Sequence, residues 1–322
     1  MDITTNLFSP PILFFFLGML AILIKSDLDI PPTLSKFFSM YLLLAIGFKG
    51  GIELRHSGLD AEVITTLVLA VVTATIAPIY VFYYLRKKVN IYDAGAIAAT
   101  YGSVSAVTFI TATAFLDNLG VAYGGHMVAC LALMESPAII VGVLLIKINK
   151  SNGNKDDETD LKEVFREALT NSSVVLVLGS LLIGLVSGDA GGEALTPFTD
   201  DIFKGMLSFF LLDMGLLAAK RISGLKKAGL ILISFSLVLP ALHGILAVLL
   251  ASLFSISAGD ALLYAVLFAS GSYIAVPAAF RLAVPEANPG LFVPMSLAVT
   301  FPFNIILGIP FYYYLINNWV AL

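Results

Sequence analysis

Two short stretches, Gly102-Ser103-Val104-Ser105-Ala106-Val107 and Gly271-Ser272-Tyr273-Ile274-Ala275-Val276, decide how this chain is read. Each interrupts a long apolar run, and each run opens on an aspartate, Asp93 in the first and Asp260 in the second. Gly and Ser are weak helix formers, so consecutive small polar residues in mid-run predict a broken helix. Inside a bilayer such a break exposes the backbone N–H groups that begin the second half, and these carry partial positive charge. Two breaks aimed at one point make an anion site that needs neither Arg nor Lys. The competing reading is that small residues only let helices pack closely. Recurrence of the pattern in both halves of the chain favours the site.

Working outward, 59% of the 322 residues are hydrophobic and 12% charged, against about 25% charged in a soluble domain. The apolar residues fall in runs of roughly 17–25, enough to cross a ~30 Å hydrocarbon layer as helix. Ten spans are expected, near 8–24, 34–54, 62–85, 92–116, 122–147, 172–188, 200–219, 228–254, 259–282 and 291–318. The hydrophilic Ser151–Asp160 and the amphipathic Leu161–Leu169, expected at the membrane surface, divide the chain nearly in half. The domains expected are therefore residues 1–150 (spans one to five), 151–170 (linker and amphipathic helix) and 171–322 (spans six to ten).

Shifting the second half onto the first by about 166 positions aligns Phe37, Met40, Arg55, Ser57, Gly58 and Leu59 with Phe203, Met206, Arg221, Ser223, Gly224 and Leu225. It also aligns Leu131–Gly142 with Leu297–Gly308, and the two serine-bearing breaks with each other within a few residues. With five spans per half, the copies must face opposite ways across the membrane. The fold class expected is thus an all-α integral membrane protein, ten transmembrane helices in two inverted five-helix repeats, with spans four and nine broken and crossing. Fifteen of the eighteen Lys and Arg residues lie in or beside the odd-numbered loops. The positive-inside rule then puts the linker in the cytoplasm and both termini outside, in the cell's inner (plasma) membrane. The run Tyr312–Tyr314 and Trp319 are expected to form an interfacial aromatic belt.

Several function classes are excluded. A net charge of −4 without a basic stripe gives no support for nucleic-acid binding. The lone Cys130 and three scattered histidines offer no disulfide and no zinc site. No HExxH pair and no GxSxG elbow is present, so an enzyme is not expected, nor is a cofactor.

The candidate anion ligands are Gly102, Ser103, Val104, Ser105, Gly271, Ser272 and Tyr273; Tyr273 would either cap the pocket or fill space. Intramembrane acids are costly and usually functional. Glu135, beside Ser136 and the helix-loosening Pro137, is a candidate Na⁺ ligand, its alternative being a structural hydrogen bond or a protonated acid. Thr108, Ser136, Ser270, Thr300 and Asn304 offer neutral oxygens for the same ion. Asp213 and Lys49 are weaker candidates, and His243 reads as a packing residue.

Across nearly its whole length the chain resembles the sodium-dependent bicarbonate transporter family described in cyanobacteria. The resemblance is carried by GFKGGIELRHSGL (Gly47–Leu59), GSVSAVTF (Gly102–Phe109), MESPA (Met134–Ala138), ALHG (Ala241–Gly244), SGSYIAVPAAFR (Ser270–Arg281), VPEANP (Val284–Pro289) and SLAVTFPFN (Ser296–Asn304). It implies a scaffold of spans 1, 2, 6 and 7, a core of spans 3–5 and 8–10, a homotrimer and an elevator-like movement. It further implies Na⁺ as coupling ion, a small anion as substrate, and a cytoplasmic partner of the nitrogen-regulatory signalling type. The chain departs from the cyanobacterial pattern at Tyr273, where those proteins carry an acid, and in its shortened linker. The function expected is Na⁺-coupled symport of bicarbonate or a similar small anion. The alternatives are a proton-coupled or uncoupled carrier of another small organic anion, or a transport-inactive membrane receptor.

Overall fold

A computed structural model describes residues 9–58, 60–150, 166, 170 and 172–319. The linker and amphipathic stretch, residues 151–170, lie outside the described residues apart from Arg166 and Thr170. Among the described residues the chain is all helix. In chain order the elements are α1 Pro10–Leu23, α2 Pro32–Ser57, α3 Ala61–Leu85, α4 Ile91–Gly102, α5 Ala106–Leu119 and α6 His126–Asn149. There follow α7 Ser172–Thr196, α8 Phe203–Leu253, α9 Ala258–Phe268, α10 Ala275–Ala283 and α11 Pro289–Asn318.

Starts and stops follow local chemistry. Asp60 caps α3 by accepting the Val63 N–H at 2.9 Å, and Asn90 caps α4 by accepting that of Asp93 at 2.9 Å. The α2 helix ends at Gly58 and α5 at Gly120, both at positive φ, where a side chain would be strained.

Seven helices are long and apolar enough to cross a membrane. The α1 helix, at 14 residues, reaches only about 21 Å at 1.5 Å per residue, and the expected ninth span is divided between α9 and α10. The expected loop between spans seven and eight is a correction. The backbone is helical through 220–227, and the change of direction comes at Gly229, whose φ of 74° lies in the left-handed region. The sixth span also runs on past its expected end, through α7 to Thr196, with a bend at Gly188.

Close helix pairs frame the centre, and they depend on glycine. On α2, a methyl group at Gly51 would overlap the Leu181 carbonyl of α7, while one at Gly184 on α7 would overlap the Phe48 carbonyl of α2. Similarly, Gly18 on α1 meets the Leu212 carbonyl of α8, and Gly215 on α8 meets the Phe15 carbonyl of α1. Backbones approach this closely only where no Cβ intervenes. Gly18 and Gly184 stand 166 positions apart, the offset of the sequence repeat.

Outward faces are apolar. Leu13, Leu17, Ile64, Val68, Leu182, Val186 and Leu249 are exposed, as lipid-facing residues are. One aromatic expectation is corrected. Tyr312 is fully buried rather than interfacial, its hydroxyl donating to the Pro240 carbonyl at 3.2 Å, whereas Tyr314 is exposed.

Candidate functional site

The helix breaks where the small polar residues stand. Ser103 leaves α4 in an extended conformation (φ −89°, ψ −178°), and Ser105 re-enters helix as the cap of α5, its hydroxyl accepting the Thr108 N–H at 3.3 Å. In the second half, the chain leaves α9 at Ala269 and resumes helix at Ala275, with Ser272 Oγ accepting the Val276 N–H at 3.3 Å.

The two broken segments are bonded to each other. The Ser272 N–H donates to the Thr100 carbonyl at 2.9 Å, and the Ser105 N–H donates to Ser270 Oγ at 2.8 Å. Ser270 Oγ in turn donates to the Leu267 carbonyl at 2.8 Å. Gly102 is required here, since a side chain would collide with Pro78 of α3.

Neighbouring helices hold the loose carbonyl ends. Asn304 Nδ2 donates to the Ala269 carbonyl at 2.8 Å, and Ser103 Oγ donates to the Glu135 carbonyl at 3.2 Å. His243 Nδ1 lies 3.1 Å from the Phe268 carbonyl, which can only accept, so Nδ1 carries the proton. Its Nε2 is then the acceptor for the Tyr80 hydroxyl. His243 also stacks on Phe268, with ring centroids 4.2 Å apart.

At the crossing lies a cavity of about 30 Å³, room for a solute of a few atoms, since one water needs about 10–15 Å³. Its wall includes Val104, Ser105, Ser272, Tyr273 and Glu135. The first N–H groups of α5 (Ala106, Val107) and of α10 (Ala275) have no acceptor among the described residues, and these three residues line the same cavity. The Tyr273 hydroxyl is buried beside Ser105 without reaching hydrogen-bond geometry to any described residue. Glu135 presents a carboxylate that makes no ion pair or hydrogen bond among the described residues. The arrangement supplies N–H dipoles, hydroxyls and one acid to a space walled mainly by carbon.

Residues 10–317 match the family model of the Na⁺-dependent bicarbonate transporter superfamily. The chain belongs to that superfamily. It is accordingly a multi-pass membrane protein of a transporter family and not an enzyme. Comparison with curated proteins finds no match. Among the described residues no group of three His, Cys, Asp or Glu side chains could hold a metal ion.

The residues expected to form this superfamily member's site do not all meet. Ser105, Val104, Ser272, Tyr273 and Glu135 line the cavity; Gly102, Ser103, Gly271 and Ser270 shape the backbone around it. Thr108 Oγ1 is buried without a hydrogen-bond partner among the described residues, and Ser136 is buried and partnered. Thr300 Oγ1 donates to the Ser236 carbonyl at 2.7 Å and bonds the Tyr101 hydroxyl at 2.9 Å, while Asn304 serves Ala269, so both are engaged in packing.

Asp213 accepts from the Ser35 hydroxyl and lines a second, larger cavity of about 400 Å³ together with Lys36 and Arg221. Ser39, Leu43, Ser173, Tyr273 and Ile274 border both cavities, so the larger one adjoins the cavity at the crossing. Ser39 and Ser173 were not expected at the site. They are single serines in apolar helices, and only their facing positions distinguish them. Lys49 pairs with Asp200 at 2.6 Å, away from the crossing.

Proposed function

We propose that the chain is a secondary active transporter that carries bicarbonate or a similar small anion together with Na⁺. The observation that carries this reading is the bonded crossing of the two interrupted segments, with unaccepted N–H groups from α5 and α10 around one cavity. An anion entering there meets N–H groups and hydroxyls whose orientation is already fixed. The same arrangement gives little to a neutral solute. Na⁺ beside Glu135 would offset the anion's charge, so that both enter at lower cost than either alone.

We read the architecture as ten crossings in two inverted five-helix repeats, with termini outside and the linker in the cytoplasm of the inner membrane. Support comes from the glycine contacts 166 positions apart and from the matched breaks. In this reading α1, α2, α7 and the first half of α8 are a scaffold, and the remaining helices are a core that slides against it as an elevator. The homotrimer and the cytoplasmic regulatory partner belong to the same reading.

One observation favours a second reading, a proton-coupled carrier of another small organic anion: Glu135 faces the cavity with no cationic partner among the described residues. Uptake of labelled bicarbonate into proteoliposomes, with Na⁺ or choline outside at several pH values, separates the two. Stimulation by a Na⁺ gradient is expected. Bicarbonate uptake driven by a proton gradient alone would remove the Na⁺ coupling, and no bicarbonate uptake under any gradient would remove the first reading and leave the second to be tested with labelled small organic anions.

A further inference from the structure

The α3 helix is followed directly by Arg86-Lys87-Lys88, and the second half of α8 begins at Gly229. Between the two helices runs a groove of about 730 Å³, walled by Tyr80 and Tyr84 on one side and Leu230, Phe235 and Leu242 on the other, with Lys88 at one end. Leu230 is 82% exposed and Leu242 55%, so protein leaves this face uncovered. From Leu230 to Leu242 the wall extends roughly 18 Å at 1.5 Å per residue. That is about the depth of one hydrocarbon leaflet, half of ~30 Å.

The floor is rigid. Phe235 stacks on Tyr84 at 5.8 Å and meets Tyr101 edge-on at 5.6 Å.

The charged end is the part that selects. Arg86 is engaged by Asn149 Oδ1 at 2.5 Å and lies over the Tyr83 ring. Lys88 Nζ sits 5.5 Å from the Tyr84 ring centroid and makes no ion pair among the described residues; Lys87 beside it is exposed and likewise makes none. Among the described residues, two ammonium groups thus stand without a carboxylate at the head of an apolar trough as deep as a leaflet.

We propose that this groove is a binding site for one anionic phospholipid, with an acyl chain lying between α3 and α8 and the phosphate held by Lys87 and Lys88. A zwitterionic lipid would bring its own cation against these lysines, whereas an anionic lipid leaves its charge free to pair with them. Each juxtamembrane Lys contributes roughly fivefold in affinity for an anionic headgroup, so a preference of about 25-fold is expected.

The test is native mass spectrometry of the full, delipidated chain with phosphatidylglycerol or phosphatidylcholine of matched acyl chains. The expected result is one retained phosphatidylglycerol under activation that strips phosphatidylcholine. Lys87→Gln with Lys88→Gln should equalise the two lipids without changing the melting temperature in neutral detergent. Ser234→Trp, which fills the groove from α8, should release both. Equal retention by the unaltered chain, a preference that survives the double lysine change, or phosphatidylglycerol retained by Ser234→Trp would each overturn the proposal. Displacement of the lipid by millimolar inorganic phosphate would also overturn it, because a phosphate site without the groove would then explain the binding.

Discussion

Asp93 Oδ1, at the start of α4, accepts the backbone N–H of Asn288, 195 residues away at the entrance to α11, at 2.8 Å. Its counterpart, Asp260 at the start of α9, accepts the Gly124 N–H before α6 at 2.6 Å. Each aspartate opens a broken helix in one half of the chain and secures the helix entrance of the other half. Asp93→Ala removes the acceptor of this part-buried bond and is expected to cost about 0.5–1.5 kcal/mol, whereas Asp93→Asn, which keeps an oxygen, should cost less. Thermal denaturation in detergent reads the difference. Equal melting temperatures for Asp93→Ala and the unaltered chain would show that the contact contributes nothing.

Asp260→Ala should be the more damaging of the two changes. Its carboxylate also lies 3.5 Å from the buried His126 Nε2, within ion-pair range though outside hydrogen-bond geometry, so the change removes an anionic neighbour of that ring as well. A smaller melting shift than that of Asp93→Ala would contradict this.

Gly51→Ala sets a methyl group against the Leu181 carbonyl. Overpacking of this kind typically costs about 1–3 kcal/mol, and backbone against backbone has little room to yield. The expected outcome is a lower melting temperature and reduced yield of folded protein. Gly205→Ala, where nothing lies within reach of the added atom, is the control that should behave normally.

Tyr273→Phe removes a hydroxyl that has no hydrogen-bond partner among the described residues, so folding should not suffer. If that hydroxyl serves the transported anion, KM for uptake should rise about tenfold, the equivalent of one ordinary hydrogen bond of about 1.4 kcal/mol, with the melting temperature unchanged. An unaltered KM would assign Tyr273 to packing alone, against Phe301 at 5.8 Å.

Asp29 and Lys220 pair at 2.8 Å outside the apolar spans, and the ammonium holds the Asp29 carboxylate below its ordinary range. The sign is that of a depressed acid: the stabilisation is present above the ordinary carboxylate range and is lost as pH falls through the lowered value. Both side chains are well exposed to water, which screens the pair. Asp29→Asn should therefore leave the melting temperature in place at neutral pH, and a fall of several degrees would mean that the contact is worth more than its exposure allows.

The breaks at Ser103–Ser105 and Ser270–Ile274 were legible because weak helix formers cluster there and apolar residues do not. The cavity's acid was legible for a related reason, since Glu135 is costly inside an apolar run. Alignment of their segment with Leu131–Gly142 puts Thr300 and Asn304 at the expected ion site. Wide π-type turns at Met295–Thr300 and Asn304–Gly308 alter the phase of α11, so that Thr300 faces Ser236 and Asn304 faces Ala269. Periodicity counted at 3.6 residues per turn cannot register such turns. The charged run at 220–227 falls between the seventh and eighth expected spans, yet Lys, Arg and Leu are good helix formers and the helix continues to Gly229. Ser39 and Ser173 carried no signal of their own, because their role comes only from a neighbour distant in sequence.

The Thr100 carbonyl and the Ser272 amide satisfy one another, as do the Ser105 amide and the Ser270 hydroxyl. Prising the two segments apart would leave the Thr100 carbonyl and the Ser272 and Ser105 amides without these partners in an oily interior. Under the elevator reading proposed above, the knot would travel whole from one face to the other, with its contents still inside.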